Sequence, residues 1–592
     1  YDLLVIDESH NFRNNDSKRD KETRYQKLMR KVLKSGVKTK VLMLSATPVN
    51  NKFNDLKNQL ALAYEGNHDE INKKLNTTRG INEIFRSAQL AFSVWSKLPA
   101  NQRTTKTLLG MLEFDFFELL DSLTIARSRK HIQKYYDTKD IGKFPKRLKP
   151  ISKFCEMTDL EGISSYKEIY KELSRINLGI YAPSDYILPS RAGFYEKKYD
   201  TIVREGSGSL KQADRERSLK VLMRINLLKR LESSVEAFRI TLSKIIKRIE
   251  IALKSVNEFK LNKHESQVEY TEIENINLDD DSWLDDDYSV GDIIKINLSD
   301  LDLIQWKEDL TSDLEILKAL LDEMLKISPP HDKKLNTLKE AIDNKIKNPI
   351  NPGNKKILIF TAFTDTAAYL YNHISAYVKK NYGLDTAKII GSDENKTTAK
   401  LKNDLHTLIT CFSPLSKEKH LTMPNVTEQI DILIASDCLS EGQNLQDCDY
   451  LINYDIHWNP VRIIQRFGRI DRIGSKNEVI QLFSFWPNIT LDEYIKLKER
   501  VENRMVIMDM SATGEDNVLS NESSDLEYRK QQLKKLQEEV VDLDEMNTGV
   551  SITDLGLNDF RMDLVNYINA NGSMDSVPCG MHTVVIADEK KG

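Results

Sequence analysis

Gln465-Arg466-Phe467-Gly468-Arg469-Ile470-Asp471-Arg472-Ile473-Gly474 is the stretch on which the reading of this chain turns. Arg469 and Arg472 are three apart, so on helical backbone they project from one face. Paired guanidiniums suit an anion that gathers charge, such as a phosphoryl group in transfer. A basic helix with a glycine kink would explain the arginines alone. It leaves unexplained why Gln465, Gly468, Arg469 and Arg472 stand in register with Ile434-Ala435-Ser436-Asp437-Cys438-Leu439-Ser440-Glu441-Gly442-Gln443-Asn444-Leu445, Asn453-Tyr454-Asp455 and Trp458-Asn459-Pro460 upstream.

Further out, Lys356-Ile357-Leu358-Ile359-Phe360-Thr361-Ala362-Phe363-Thr364-Asp365-Thr366 reads as a buried strand running into a helix capped by small polar residues. Apolar runs at 3–6, 41–44, 357–360, 432–435, 450–453 and 479–485 alternate with helical or polar segments, the pattern of parallel α/β sheets. They form two groups. The first, residues 1–60, is separated from the second, residues 357–510, by a mostly helical insertion over 61–347 and a linker at 348–356 marked by Asn348-Pro349-Ile350-Asn351-Pro352-Gly353. Val221, Ile225, Leu228, Leu231, Val235, Phe238, Leu242, Ile245 and Ile249 make one apolar stripe along a single long helix, the core of a bundle or the seam of a partner-binding coiled coil. Residues 278–288 hold six carboxylates without the glycine and distal glutamate of a calcium loop and read as a solvated acidic loop. Residues 511–592 read as a linker, a charged helix over 527–546 and the start of a truncated domain.

Composition narrows the classes. The 592 residues carry 86 Lys+Arg and 90 Asp+Glu, a net charge of −4, so a nucleic-acid surface has to be local. Mean hydropathy is −0.48 and no apolar run approaches the roughly 20 residues of a membrane span. Cys155, Cys411, Cys438, Cys448 and Cys579 lack paired metal spacing, which fits a reducing compartment. Both ends read as cut: Tyr1 runs at once into a central strand, and Thr583-Val584-Val585-Ile586 has almost nothing after it.

That first strand delivers Asp7 and Glu8 at its carboxyl end. Phosphoryl transfer needs a carboxylate to hold magnesium and another to orient or deprotonate water, and this pair supplies both. A strand-end turn explains an isolated Asp-Glu equally well. Ser9-His10 directly after it, and Ser45-Ala46-Thr47-Pro48 after the next strand, shift the balance.

Together these segments resemble the motifs of superfamily 2 helicases and translocases: Asp7-Glu8-Ser9-His10 the second, Ser45-Ala46-Thr47 the third, Lys356–Thr366 the fourth, Ile434–Leu445 the fifth and Gln465–Gly474 the sixth. The wording from Trp458 to Gly474 is most similar to the Swi2/Snf2 group and its bacterial RapA-like members. The resemblance covers residues 1–60 and 355–510 and implies two RecA-like parallel-sheet lobes, the first truncated, with an ATP- and magnesium-dependent motor that tracks duplex DNA. It assigns Asp7 to magnesium, Glu8 to the water, and Arg469 and Arg472 to the transferring phosphoryl group. Gln465, Asp437, Glu441 and Gly442 then line the ATP cleft, His10, Ser45, Ala46 and Thr47 couple nucleotide to nucleic acid, and Thr361 and Trp458 lie toward nucleic acid. Trp458 reads equally well as a buried strand-end anchor.

Two departures stand out. Ser475 replaces the group's usual Gln, and no G-x-x-x-x-G-K-[ST] phosphate loop occurs in the chain, so the isolated 592 residues are expected to be nearly inactive. Ten Lys/Arg between Arg127 and Lys153, Arg127, Arg129 and Lys130 among them, face only Asp137 and Asp140 and offer phosphate contacts, a solvated basic face or an interlobe brace. The implied partners are duplex DNA and RNA polymerase or a defence-system subunit, in a bacterial cytoplasm near the nucleoid. A strand-separating helicase, a restriction or phage-defence motor, and a nucleotide-degenerate scaffold for RNA polymerase stay open.

Overall fold

In a computed structural model the described residues are 2–12, 23–36, 39–45, 53–64, 77, 79–96, 98, 105–125, 129, 132–133, 136, 142–199, 201–202, 209–210, 212–262, 267–271, 293–391, 395–439, 442–456, 460–487, 564 and 567–568. Residues 1–140 fall in one compact unit and 141–542 in another.

In the first unit, β1 (Leu3–Ile6) pairs in parallel with β2 (Lys40–Met43), Leu3 opposite Lys40 and Ile6 opposite Met43. The crossover is α1 (Arg24–Leu28), started by Thr23 and Gln26 in a reciprocal cap, which then widens over Met29–Leu33 so that Lys34 N–H reaches the Met29 carbonyl. One face of the pair packs Leu4, Ile6 and Val41 with Tyr25, Leu33 and Leu62. The other leaves Leu3 57% and Val5 52% exposed, although parallel sheets are ordinarily covered on both faces. Helices α2 (Phe53–Ala63), α3 (Ile81–Ser96), α4 (Thr105–Met111) and α5 (Phe114–Leu123) close a second apolar core around Phe85 and Phe116.

The second unit is organised by an eight-stranded sheet built from β3 (Lys146–Arg147), β4 (Ile151–Cys155), β5 (Ile357–Phe360), β6 (Thr386–Ile389), β7 (Lys396–Thr397), β8 (Ile432–Ala435), β9 (Tyr450–Asn453) and β10 (Val479–Pro487). The order is β7-β6-β8-β5-β9-β10-β3, with β4 also on β10, and every pairing but β6 with β7 is parallel. Unbroken runs such as Ile357-Leu358-Ile359-Phe360 are buried on both faces because alternate side chains feed different cores. Ile357 and Ile359 meet α9 (Lys333–Lys347) and α10 (Thr364–Tyr382), while Leu358 and Phe360 meet α11 (Leu405–Phe412). Each fully buried Ile or Leu there contributes about 1.5–3 kcal/mol.

The sheet crosses the boundaries expected from sequence. Residues 146–155, inside the expected insertion, supply strands to it, and α9 covers one of its faces. The segment expected as a linker at 348–356 is pinned: buried Asn351 donates to Asp449, which is also ion-paired with fully buried Lys345 at 2.7 Å.

The expected single long helix is two, α6 (Gln212–Ser233) and α7 (Val235–Asn262), packed with α8 (Leu303–Leu325) around Phe238, Leu242, Trp306 and Leu317. The apolar stripe continues across the break because Ser234 restarts the helix, its hydroxyl accepting the Ala237 N–H. The acidic loop 278–288 and the charged helix 527–546 lie outside the described residues.

Candidate active site

The break between α6 and α7 sits against the carboxyl ends of β5 and β9. Ser233 Oγ donates to Asp455 Oδ2 at 2.6 Å and meets Thr366 Oγ1 at 2.8 Å, which Ser234 also reaches. Arg230 pairs with Asp365 at 2.6 Å over the Phe363 ring, and Lys334 caps the end of α6 by donating to the Glu232 and Ser233 carbonyls. Burial drives the Lys334 ammonium below the usual lysine range. Thr361, expected to face nucleic acid, is fully buried here and gives its hydroxyl to Asp455. In this arrangement its hydroxyl is spent inside the lobe.

One further step along the same edge, α12 (Pro460–Phe467) turns Arg466 inward. This side chain is completely buried; its Nε and Nη2 donate to the two oxygens of Asp437 at 2.6 and 2.9 Å, and Nη1 donates to Asn453 Oδ1 and the Asp455 carbonyl. A forked guanidinium on a carboxylate is among the stronger and more directional polar contacts a protein makes. Asp437, expected to line the ATP cleft, therefore spends both oxygens holding the sixth motif against the fifth.

The arginines expected to act on phosphate follow. Arg469, 7% exposed, donates from Nε to the Gln465 carbonyl at 3.2 Å and from Nη1 to the Gln443 carbonyl at 3.3 Å, while Leu445 N–H bonds to the Arg469 carbonyl. Arg472 Nε donates to the Gly468 carbonyl at 3.1 Å. Neutral carbonyls are weaker partners for a guanidinium than phosphate oxygens. Gln465 Oε1 is buried without a partner among the described residues, an acceptor that suits a ligand donor. Gly442 adopts φ +77°, left-handed backbone that its missing Cβ permits. Glu441 and Trp458 lie outside the described residues.

Further contacts come from the basic segment and from Ser475. Arg147, from the basic segment, pairs with Asp471 at 2.6 Å, and Gly142 lies so close to Gly474 that a Cβ would stand 2.5 Å from its Cα. The basic segment thus braces the sixth motif at this point. Ser475, in the position of the usual Gln, donates to the Gln446 carbonyl. Of the proposed nucleic-acid residues, Arg127 and Lys130 are outside the described residues, and Arg129 is partly buried in the first unit.

In the first unit, Asp7 is exposed and its Oδ1 accepts the Glu8 N–H at 2.9 Å. Glu8 has φ +48°, a conformation that a non-glycine residue holds at a cost of about 1–2 kcal/mol. It is retained because Ser9 is tied on both sides, its N–H to the Leu44 carbonyl and its hydroxyl to Gln59 Oε1. His10 lies in the short turn Ser9–Phe12 and Ser45 follows β2, partly buried; Ala46 and Thr47 are outside the described residues. A single accessible carboxylate fits magnesium, which keeps several waters and takes its other ligands from phosphate oxygens. Among the described residues no cluster of three or more His, Cys, Asp or Glu forms a protein cage.

Residues 333–474 match the helicase conserved C-terminal domain. An uncharacterized ATP-dependent helicase, YqhH of Bacillus subtilis, is 43% identical over 67 residues, 11% of this chain and 12% of that protein. Within residues 333–474 the chain is thus similar to helicases. RNA polymerase-associated protein RapA of Pectobacterium atrosepticum is 39% identical over 61 residues, 10% of this chain and 6% of RapA. A probable ATP-dependent RNA helicase, ddx51 of Dictyostelium discoideum, is 30% identical over 188 residues, 30% of each chain. The helicase domain of Hef from Pyrococcus furiosus aligns over 84% of this chain and 73% of its own, at 14% identity and a TM-score of 0.32. The matched segments thus span a small part of the curated relatives, and Arg466, Arg469 and Arg472 lie within the residues that match the helicase C-terminal domain. No described helix is long and apolar enough to cross a membrane.

Proposed function

We propose that this chain is the motor part of an ATP-dependent duplex-DNA translocase. The observation that carries the reading is the buried Arg466 fork on Asp437, with Arg469 beside the fifth-motif loop at Gln443. In this reading Glu8 accepts a proton from the attacking water. Arg469 and Arg472 exchange backbone carbonyls for the charge that builds on the transferring phosphoryl group. Asp7 would hold magnesium through water, and the ion would neutralise charge at the phosphates. Gln465 and Gly442 contact the nucleotide, and Ser45 with Thr47 passes its state to the nucleic acid. The protein partner suggested by the RapA match is RNA polymerase.

A strand-separating helicase is the alternative, favoured by the match to an ATP-dependent RNA helicase. Two assays on the complete protein decide between them. A duplex translocase displaces a third strand from a triplex and fails to unwind a forked duplex; unwinding without triplex displacement would overturn the reading. Arg469→Ala is expected to lower DNA-stimulated ATP hydrolysis by about 10³-fold or more with the fold intact.

A further inference from the structure

Between α11 and β8 the chain makes a tight loop, Ser413 to Lys419, that no helicase motif includes. It is built, not loose. Asp447 accepts the N–H groups of Leu415 and Ser416 at 2.6 and 3.0 Å, and the Lys417 N–H returns to the Ser413 carbonyl at 3.0 Å. Glu418 is held at φ +48°, and buried Lys419 ties the far side to the Glu428 carbonyl.

The product of this scaffolding is the placement of one ammonium. Lys417 Nζ donates to Gln443 Oε1 at 2.8 Å, on the same residue whose carbonyl accepts from Arg469 Nη1. Arg472 is near enough to act on the lysine electrostatically: burial first, and that guanidinium second, lower its proton affinity below the usual range. Among the described residues no carboxylate neutralises Lys417. Lys417 and Arg469 thus meet on one neutral residue, Gln443, with the Arg472 charge acting on the lysine through space. Gln443, with its acceptor facing the ammonium, orients that cation without cancelling its charge.

We infer that Lys417, presented by the 413–419 loop, is a third phosphate-binding cation of this site, acting with Arg469 and Arg472 on a phosphoryl or phosphodiester group. The inference rests on the reading of Arg469 and Arg472 as phosphate-facing and adds a residue outside the motifs. The shared chemistry is a phosphate oxygen, carried by either the nucleotide or the nucleic-acid backbone.

The test compares Lys417→Ala, Lys417→Arg and Arg469→Ala in the complete protein, with two probes: a fluorescent, slowly hydrolysed ATP analogue with magnesium, and a labelled 20-base-pair duplex over a salt series. A loss of about 10-fold for the ATP analogue in Lys417→Ala, restored in Lys417→Arg, assigns the lysine to the nucleotide. A loss for the duplex instead, with the salt slope reduced by about 1, assigns it to the backbone. If Lys417→Ala binds both probes as the parent does while Arg469→Ala weakens the nucleotide, the lysine only braces Gln443 and the inference is overturned with the function reading intact. If neither variant weakens either probe, both readings fall.

Discussion

The acidic strand end and the arginine helix are built in opposite ways. Asp7 stands in water at the tip of a strand covered on one face, and Glu8 is held in a costly backbone conformation by the bonds of Ser9. Arg466 lies in the interior under Phe360, with carboxylate, amide and carbonyl acceptors all around it. On the proposed function the difference separates two tasks. A carboxylate that meets magnesium and water is useful only if exposed, whereas a guanidinium that positions its neighbours is most directional where water cannot compete.

That contrast is broken most severely at Arg466. Arg466→Ala leaves Asp437 and Asn453 without their donor, and a loss of about 3–5 kcal/mol is expected in denaturant unfolding, as for other severed buried pairs. An unchanged midpoint would show that the fork is not what holds the sixth motif. A smaller effect is expected at the break of the helical insertion. Ser233→Ala removes the hydroxyl between Asp455 and Thr366 and should cost about 1–2 kcal/mol, with faster amide exchange in residues 230–238 than in the α8 helix. The smallest effect has the opposite sign: Glu8→Gly relieves the left-handed backbone and should gain about 0.5–1 kcal/mol while abolishing hydrolysis. Loss of stability instead would mean that the carboxylate itself holds the turn.

The strands at 357–360 and 432–435 were legible because a parallel strand covered on both faces is written as four unbroken apolar residues; that at 3–6 carries the same run although one of its faces is open. Thr386-Ala387-Lys388-Ile389 was not, since its threonine and lysine break the run even though every one of the four is buried. The break at Ser233-Ser234 was hidden because the apolar period runs on through it, and the helix ends for a tertiary reason, the hydroxyls being needed at Asp455 and Thr366. In the site, spacing identified Arg469 and Arg472 but not the division of labour. Arg466 and Asp437 are 29 apart in sequence and nothing local pairs them. Arg147 and Asp471 are 324 apart, and Thr361 carries the residue type of a phosphate contact while its surroundings make it a core hydroxyl.

Whether Glu8 and Arg469 serve one reaction is tested most directly by a double-mutant cycle. DNA-stimulated ATP hydrolysis by the complete protein is measured for Glu8→Gln, Arg469→Ala and the two combined. Residues acting on one transition state are strongly non-additive, so the double variant should be about as slow as the slower single variant. A double variant slowed by the full product of the two single losses, or a single variant with the parent's rate, would contradict their acting on one transition state.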